Sequence, residues 1–215
     1  MIKAVIFDLD GTLSYTLDSI SYSGNLALEE LGFAALPKDD YKYFCGDGSD
    51  ELVKRVLAAS GDTEYTKYTE LRRAYGKFFR QYADYNVRPY EGMPEAIAVL
   101  KEKGLKLAVL SNKPHPQTIE VVHKLYGDVF DYIQGNTPEI NRKPSPDGAF
   151  IIAKELGIDT SEFLYVGDTA TDMQTGNSAG MKTVGVLWGY RTLEELTENN
   201  AKMIISHPSE LINCL

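Results

Sequence analysis

The feature that most constrains the fold of this chain is a regular alternation of short apolar runs with amphipathic helical patterns between residues 92 and 188. The apolar runs predict buried strands, and they lie at 105–111, 129–135, 163–168 and 182–188. The helical patterns precede or separate these runs, at 92–104, 115–127, 145–157 and 171–180. Strands that alternate with helices of this length predict βαβ units and therefore a parallel sheet.

The N-terminal part of the chain breaks this alternation. The apolar run Val5-Ile6-Phe7 predicts the first strand, whereas residues 16–86 contain helical patterns and no convincing strand. The chain therefore enters the α/β domain, leaves it for a series of helices and then returns. We predict an α/β domain from residues 1–15 and 87–215, an inserted helical domain from 16–86, and hinges near 14–17 and 86–91.

The charge balance limits the classes of partner. With 31 acidic and 22 basic residues among 215, the net charge is −9. This charge argues against a nucleic acid held by phosphate contacts and against an anionic membrane surface. It does not exclude a small anionic substrate, because a local cation can invert the field inside one pocket. We expect a small-molecule substrate, and both a monomer and a homodimer stay open.

The cysteines and histidines predict neither a covalent framework nor a soft-metal site. Cys45 and Cys214 lie far apart and form neither a disulfide framework nor a zinc motif. No ligand spacing links the histidines, which are expected to be structural or on the surface: His115, His123 and His207. No signal peptide precedes the first strand and no apolar run reaches membrane-spanning length, so a cytoplasmic location is expected.

Polar side chains follow the predicted strands at the points where the strands end. In a parallel sheet, ligands bind outside the carboxyl ends of the strands. We therefore expect one crevice to collect Asp8, Asp10, Ser111, Asn112, Asp168, Asp172 and, from a loop ahead of a helix, Lys143. A solvated Asp-Gly turn is the alternative for Asp10-Gly11 taken alone. That alternative does not explain why polar groups recur at each strand end.

Such a cluster of carboxylates calls for a cation. Two carboxylates about 5 Å apart repel each other by roughly 3 kcal/mol at an effective dielectric constant near 20. The hard oxygen donors, without clustered cysteine or histidine, favour Mg²⁺ over zinc or copper. A Mg²⁺ ion held by few carboxylates shares its open positions with phosphate oxygens. Ser111, Asn112 and Lys143 suit further phosphate oxygens, so the crevice is predicted to bind a phosphoryl group.

The residues also indicate how a phosphoryl group would be transferred. The chain has no Walker loop and no histidine or cysteine among these strand-end residues, so the available nucleophile is a carboxylate. Asp8, at the end of the first strand, is the natural attacker through an aspartyl-phosphate. Asp10 is placed two residues on, where it can protonate the leaving oxygen and then activate water.

Four stretches of this sequence, in order, resemble the haloacid dehalogenase superfamily of phosphohydrolases. They are "DLDGTL", "SNKP", the lysine of "RKPSPDG" and "VGDTATD". The resemblance implies a Rossmann-like parallel-sheet core with an α-helical cap inserted after the first stretch. The cap corresponds to residues 16–86, which the sequence pattern already sets apart.

The same resemblance implies a role for each matching residue. Asp8 corresponds to the nucleophile and a Mg²⁺ ligand, and Asp10 to the general acid and base, which also binds Mg²⁺ through its carbonyl oxygen. Asp168 corresponds to a further Mg²⁺ ligand, and Asp172 orients either the lysine or a metal-bound water. The residues implied to hold the phosphoryl group are Thr12, Ser111, Asn112 and Lys143.

Within the superfamily the likeness is closest to phosphoglycolate phosphatases. It extends to "FCGDGSDELVKRVL", "YADYNVRPYEGM" and "GVLWGY". It implies that Gly46-Asp47-Gly48 is a cap loop that faces the phosphate site and helps to select substrates, although a plain helix-to-helix turn fits the same composition. Tyr15 departs from the relatives, which usually carry an acid or amide at this position. Three arginines are candidates to bind a second anionic group of the substrate, with a solvated helix face as the alternative explanation: Arg72, Arg73 and Arg80.

The resemblance implies a phosphatase that acts on a small phosphate monoester, with phosphoglycolate as the first candidate. Related enzymes hydrolyse pyrophosphate or nucleotides or act as phosphoglucomutases, and the shared motifs do not separate these activities. A phospho-receiver module also combines Mg²⁺ with an aspartate, but it needs no helical insertion. A catalytically silent binding protein would lack one of Asp8, Asp10, Lys143 or Asp168, and none is missing.

Overall fold

A computed structural model describes all residues from Met1 to Leu215. Its centre is a six-stranded sheet in which every neighbouring pair is parallel. In spatial order the strands are β5 (Tyr132–Asn136), β4 (Lys106–Pro114), β1 (Ala4–Phe7), β6 (Phe163–Gly167), β7 (Lys182–Val186) and β8 (Met203–Ile205). The predicted α/β fold with a parallel, Rossmann-like sheet is confirmed.

Alternating side chains of the strands build two apolar layers. In β1, Val5 and Phe7 face a large cluster that α5 (Met93–Glu102) and α6 (His115–Tyr126) cover. Ala4 and Ile6 face the opposite cluster, which α7 (Asp147–Leu156) covers. Successive side chains of a strand point to opposite faces, so a strand buried on both sides is a continuous apolar run. The sheet is thereby fixed between helices, and its carboxyl edge stays open for polar groups.

Between β1 and the rest of the sheet the chain forms a separate helical region, which we call the helical insertion. It contains α1 (Leu17–Glu30), α2 (Tyr41–Phe44), α3 (Ser49–Ala59) and α4 (Tyr68–Tyr82). These helices pack around an apolar cluster of 16 buried residues, to which the sheet domain contributes Tyr190. Close packing depends on Gly24 in α1, because a Cβ there would lie 2.5 Å from the ring of the buried Tyr41.

Two short antiparallel strands join the insertion to the sheet domain. β2 (Ser14–Tyr15) pairs with β3 (Arg88–Pro89), inside the segments predicted as hinges. The ring of Tyr15 packs edge-on against Tyr90 with ring centroids 6.3 Å apart, and the Arg88 guanidinium carbon lies 4.0 Å from the Tyr15 centroid. Tyr15 therefore stiffens this junction by packing and does not line the cavity between the two regions.

The sequence pattern missed several short elements. They are α2, β2, β3, β8, α9 (Leu193–Glu198) and the 3₁₀ turn Pro208–Cys214. Each is too short to display a period, and β8 is an edge strand with only Ile205 buried. The two cysteines are free, as expected. None of the helices combines the length and the apolar character that a membrane span requires.

Candidate active site

The carboxyl ends of β1 and β6 and the loop after β5 bring two acids and a lysine into direct contact. Lys143 Nζ donates to Asp8 Oδ1 at 2.6 Å and to Asp172 Oδ1 at 2.7 Å. Its third contact is the carbonyl oxygen of Leu110 at 3.2 Å. All three side chains are buried. Because the ammonium has three N–H groups and three acceptors, each of its donors is occupied.

Asp168, directly after β6, is held by two donors in a tight backbone cradle. Its Oδ1 accepts from the Thr12 hydroxyl at 2.9 Å, and its Oδ2 accepts from the Tyr190 backbone N–H at 2.8 Å. A Cβ at either Gly11 or Gly189 would lie 2.3 Å from an Asp168 side-chain atom. Gly11 also has φ +93°, a conformation that side chains disfavour. These two glycines therefore leave the room that the carboxylate occupies.

Asp172 sits in the first turn of α8 (Ala170–Ser178) and is fixed by a capping box. Its Oδ2 accepts from the backbone N–H and the hydroxyl of Thr169, at 3.1 and 2.7 Å. Its other oxygen remains for Lys143. The capping residues thus direct one carboxylate oxygen of Asp172 into the site, where it contacts Lys143.

Burial and mutual repulsion perturb the acids of this cluster. Burial, with the nearby Asp172, Asp168 and Asp10 carboxylates, raises the pKa of Asp8 well above its usual value, against the lowering effect of Lys143. Burial and Asp172 raise the pKa of Asp168 to about 7. Burial would lower the pKa of Lys143, but the Asp172 and Asp8 carboxylates outweigh it and raise that pKa well above its usual value. One ammonium therefore compensates the carboxylates incompletely.

The donor set fits a hard divalent cation. Carboxylate oxygens of Asp8, Asp168 and Asp172 all lie within 4.8 Å of one another. Oxygen donors without sulfur or imidazole are the ligands that Mg²⁺ prefers. The side chain of Asp10 is outside this group, because it turns toward Lys113, with Lys113 Nζ 2.8 Å from Asp10 Oδ1.

The end of β4 connects the site with the helical insertion through Asn112. The Asn112 amide donates to the carbonyl oxygens of Gly46 at 2.9 Å and Lys143 at 3.0 Å, and its Oδ1 accepts from the Lys143 N–H at 2.9 Å. The Ser111 hydroxyl oxygen accepts from the Lys113 N–H at 3.2 Å. Asn112 therefore positions loops, and both Ser111 and Asn112 line the cavity.

The loop from Cys45 to Gly48 is hydrogen-bonded to the sheet domain. The Thr171 hydroxyl donates to Asp47 Oδ1 at 2.6 Å, and Arg191 donates to the carbonyl oxygens of Cys45, at 3.0 Å, and Lys42. Gly46 and Gly48 adopt φ +110° and +87°, so the turn depends on glycine at both positions. This structure therefore has the insertion closed over the strand ends.

A cavity of about 40 Å³ lies between the two regions. Asp8, Asp10 and Ser111 line it on the sheet side. Residues from the insertion that line it include Ile20, Leu52, Tyr75 and Phe79. A polar floor thus faces an apolar roof, with the predicted nucleophile at the floor.

Comparison with known proteins identifies the family. The sequence profile of the haloacid dehalogenase-like hydrolases matches residues 5–186. The chain belongs to this family. A phosphoglycolate phosphatase of Neisseria meningitidis is 34% identical over 205 residues, covering 93% of this chain and 86% of the relative. One from Aquifex aeolicus is 31% identical over 214 residues, covering 99% and 96%.

A solved structure supports the same assignment. A candidate phosphoglycolate phosphatase from Lactobacillus delbrueckii subsp. bulgaricus matches with a TM-score of 0.93 at 28% identity. The match covers 99% of this chain and 97% of the other. The resemblance inferred from the four sequence stretches, to haloacid dehalogenase-like hydrolases and within them to phosphoglycolate phosphatases, is confirmed.

The structure of this haloacid dehalogenase-like hydrolase brings most of the predicted residues together and leaves some aside. The Thr12 hydroxyl is committed to Asp168, and Asp47 binds Thr171 and Arg55 instead of lining the cavity. Three arginines lie along an exposed groove of α4 away from the cavity: Arg72, Arg73 and Arg80.

Several residues at the site were not singled out from the sequence. Lys113 directly follows Ser111 and Asn112 in "SNKP", so its position in this stretch could have identified it as a site residue. Thr171, Tyr190 and Arg191 reach the site from the starts of helices or from loops. No spacing rule connects them with the strand-end acids, so their contribution is visible only in three dimensions.

Proposed function

We propose that this chain is a Mg²⁺-dependent phosphatase that hydrolyses a small phosphate monoester through an aspartyl-phosphate on Asp8, with 2-phosphoglycolate as the first candidate substrate. The observation that carries the proposal is the buried contact of Asp8 with Lys143, beside Asp168 and Asp172, at the floor of a closed cavity. The named relatives at 34% and 31% identity support the choice of substrate.

The first chemical step uses the Asp8 carboxylate as nucleophile. Its oxygen forms a bond with phosphorus while the bond between phosphorus and the leaving oxygen breaks. Asp10 gives that oxygen a proton. In the second step Asp10 takes a proton from water, whose oxygen attacks phosphorus and releases phosphate from Asp8. Both residues end the cycle as they began it.

Other groups of the site balance the charge. Lys143 opposes the rise that burial causes in the pKa of Asp8, and Ser111 can donate its hydroxyl to a phosphoryl oxygen. Asp8, Asp168 and the backbone carbonyl of Asp10 would hold Mg²⁺. When bound, the ion supplies positive charge to the phosphoryl oxygens. The closed insertion excludes bulk water from the cavity, which strengthens these interactions.

The test is a phosphate-release assay over a panel of substrates. The panel contains p-nitrophenyl phosphate, 2-phosphoglycolate, pyrophosphate, a nucleoside monophosphate and β-glucose 1-phosphate, each with Mg²⁺ and with EDTA. We expect Mg²⁺-dependent release, and a loss on the order of 10⁴-fold or more in Asp8→Asn, as for other nucleophile deletions. Asp128→Asn is the matched control, because Asp128 is 94% exposed and far from the site.

The outcomes separate the alternatives. Preferred release from pyrophosphate or the nucleotide identifies those hydrolases, and isomerisation of the sugar phosphate without release identifies a mutase. Stable phosphorylation of Asp8 without turnover indicates a phospho-receiver, and no reaction at all indicates a silent binding module. Undiminished activity in Asp8→Asn would rule out the assigned nucleophile.

A further inference from the structure

Lys113 is the single cationic side chain among the residues that line the cavity, and the chemistry proposed above does not use it. It follows Ser111 and Asn112 near the end of β4. Its side chain is only 2% exposed, so its charge is withheld from bulk water. A buried charge is unfavourable unless it is paired and hydrogen-bonded. The surroundings of this ammonium therefore indicate what it is built to bind.

The contacts of Lys113 come from both walls of the cavity. On the sheet side, Nζ lies 2.8 Å from Asp10 Oδ1, an oxygen that makes no hydrogen bond with the protein. On the insertion side, Nζ lies 4.8 Å from the centroid of the Phe79 ring, whose face attracts a cation. The contact with Asp10 is thus an ion pair without hydrogen-bond geometry, and both groups retain hydrogen-bonding capacity beside the cavity.

The other buried lysine of the site is fully occupied. Lys143 Nζ donates to Asp8, to Asp172 and to the carbonyl oxygen of Leu110. It also does not line the cavity. Any second negative charge that a substrate brings between the two regions therefore meets Lys113.

The size of the cavity restricts the leaving group. With the insertion in this position the free volume is about 40 Å³. One water needs at least about 10–15 Å³, and the phosphoryl group beside Asp8 and Ser111 shares this cavity, so little room is left for the leaving group. Leu52 and Tyr75 form an apolar roof. A short chain with one charged end fits this space and the position of Lys113, whereas a hexose or a nucleoside does not.

We infer that Lys113 is the specificity-determining residue, and that its ammonium binds a carboxylate on the leaving-group side of the substrate while Phe79 holds the ammonium from the insertion. The substrate class is then a phosphate monoester of a short hydroxy acid. This inference rests on the proposed phosphatase function. It gives the closed insertion a direct part in substrate choice, through one aromatic ring.

The test compares two esters of similar size that differ in charge. One is 2-phosphoglycolate, and the other is 2-hydroxyethyl phosphate, which carries an uncharged alcohol in place of the carboxylate. The readout is the ratio of their kcat/KM values. We expect the wild-type protein to prefer the carboxylate ester and Lys113→Met to lower that preference roughly tenfold to hundredfold. The matched control, Lys106→Met at the exposed start of β4, keeps the wild-type ratio.

The outcomes distinguish this inference from the proposed function. If Lys113 only supports the fold or only positions Asp10, both esters lose rate together and the ratio stays at its wild-type value, which overturns the inference. Release from both esters without preference in the wild type also overturns it and leaves the phosphatase function standing. Release from neither ester overturns the inference, and release from p-nitrophenyl phosphate then decides whether the phosphatase function stands.

A second variant makes the test independent of whether Lys113→Met folds. Phe79→Leu removes the ring behind the ammonium and keeps an apolar side chain in the roof. We expect the preference for the carboxylate ester to fall roughly threefold. An unchanged ratio in a folded Phe79→Leu protein contradicts the placement of Lys113.

Discussion

The strand ends and the helical insertion both carry ion pairs, but they place them in different surroundings. At the strand ends, Lys143 meets Asp8 and Asp172 with at most 8% of any of the three side chains exposed. On the insertion, pairs such as Lys54 with Glu51 have comparable distances, 2.8 Å, yet their side chains are 42% and 31% exposed to water. Charge in water is screened, whereas charge in the interior must be matched by partners.

This difference assigns separate tasks to the two regions. Unbalanced buried carboxylates are costly for folding, and their retention at the strand ends is what chemistry on a phosphoryl group requires. The insertion is held together by apolar packing and contributes a roof, a loop and a ring to the cavity. Under the proposed function, the sheet domain carries out the reaction and the insertion selects which molecules reach it.

The largest effect on stability is expected from breaking the buried ion pairs. Lys143→Met leaves Asp8 and Asp172 without their cation, and the free energy of unfolding should fall by about 3–5 kcal/mol. Lys54→Met in the insertion should leave the urea midpoint within experimental scatter, because that pair is partly exposed and is screened by water. Equal shifts of the two midpoints would remove the distinction between the regions.

A smaller effect is expected from metal binding, and it should depend on pH. Burial and Asp172 raise the pKa of Asp168 to about 7, and Mg²⁺ requires the ionised carboxylate. As pH falls through 7 the carboxylate gains a proton, so stabilisation by Mg²⁺ should shrink. We expect millimolar Mg²⁺ to raise Tm by roughly 5 °C at pH 8, and by much less at pH 5.5.

Two variants locate this metal effect. Asp168→Asn should abolish the Mg²⁺-dependent rise in Tm at both pH values. Asp62→Asn, in the insertion, should keep it, because Asp62 only caps the turn at Thr66 and Lys67. A rise that persists in Asp168→Asn would mean that the ion binds elsewhere.

The smallest effect is expected from removing one hydrogen bond between the two regions. Thr171→Val removes the hydrogen bond to Asp47 and should lower the population of the closed form. We expect KM to rise about threefold to tenfold with a smaller change in kcat. Thr197→Val is the control, since that hydroxyl bonds only within its own helix. A fall in kcat alone would contradict a role in closure.

The sequence predicted what depends on local pattern. The apolar runs of β1, β4, β5, β6 and β7 and the helical periods between them were long enough to define the parallel sheet, and the topology of such a sheet then brings the strand-end acids together. What it did not predict depends on neighbours distant along the chain. Lys113 meets Phe79 across the cavity, and three-residue β8 is defined only by pairing with β7. For Asp172, the family resemblance and not the spacing offered two partners, Lys143 or a metal-bound water, and the structure pairs it with Lys143.

Tyr190 has its two ends in different parts of the molecule. Its backbone N–H binds Asp168, its ring belongs to the apolar cluster of the insertion, and its hydroxyl contacts Thr16 at the junction. If the insertion moves outward, either the Tyr190 ring loses its apolar neighbours or the Tyr190 N–H moves away from Asp168. Opening of the cavity is therefore coupled to the hydrogen bond that positions Asp168, and Tyr190 provides this coupling.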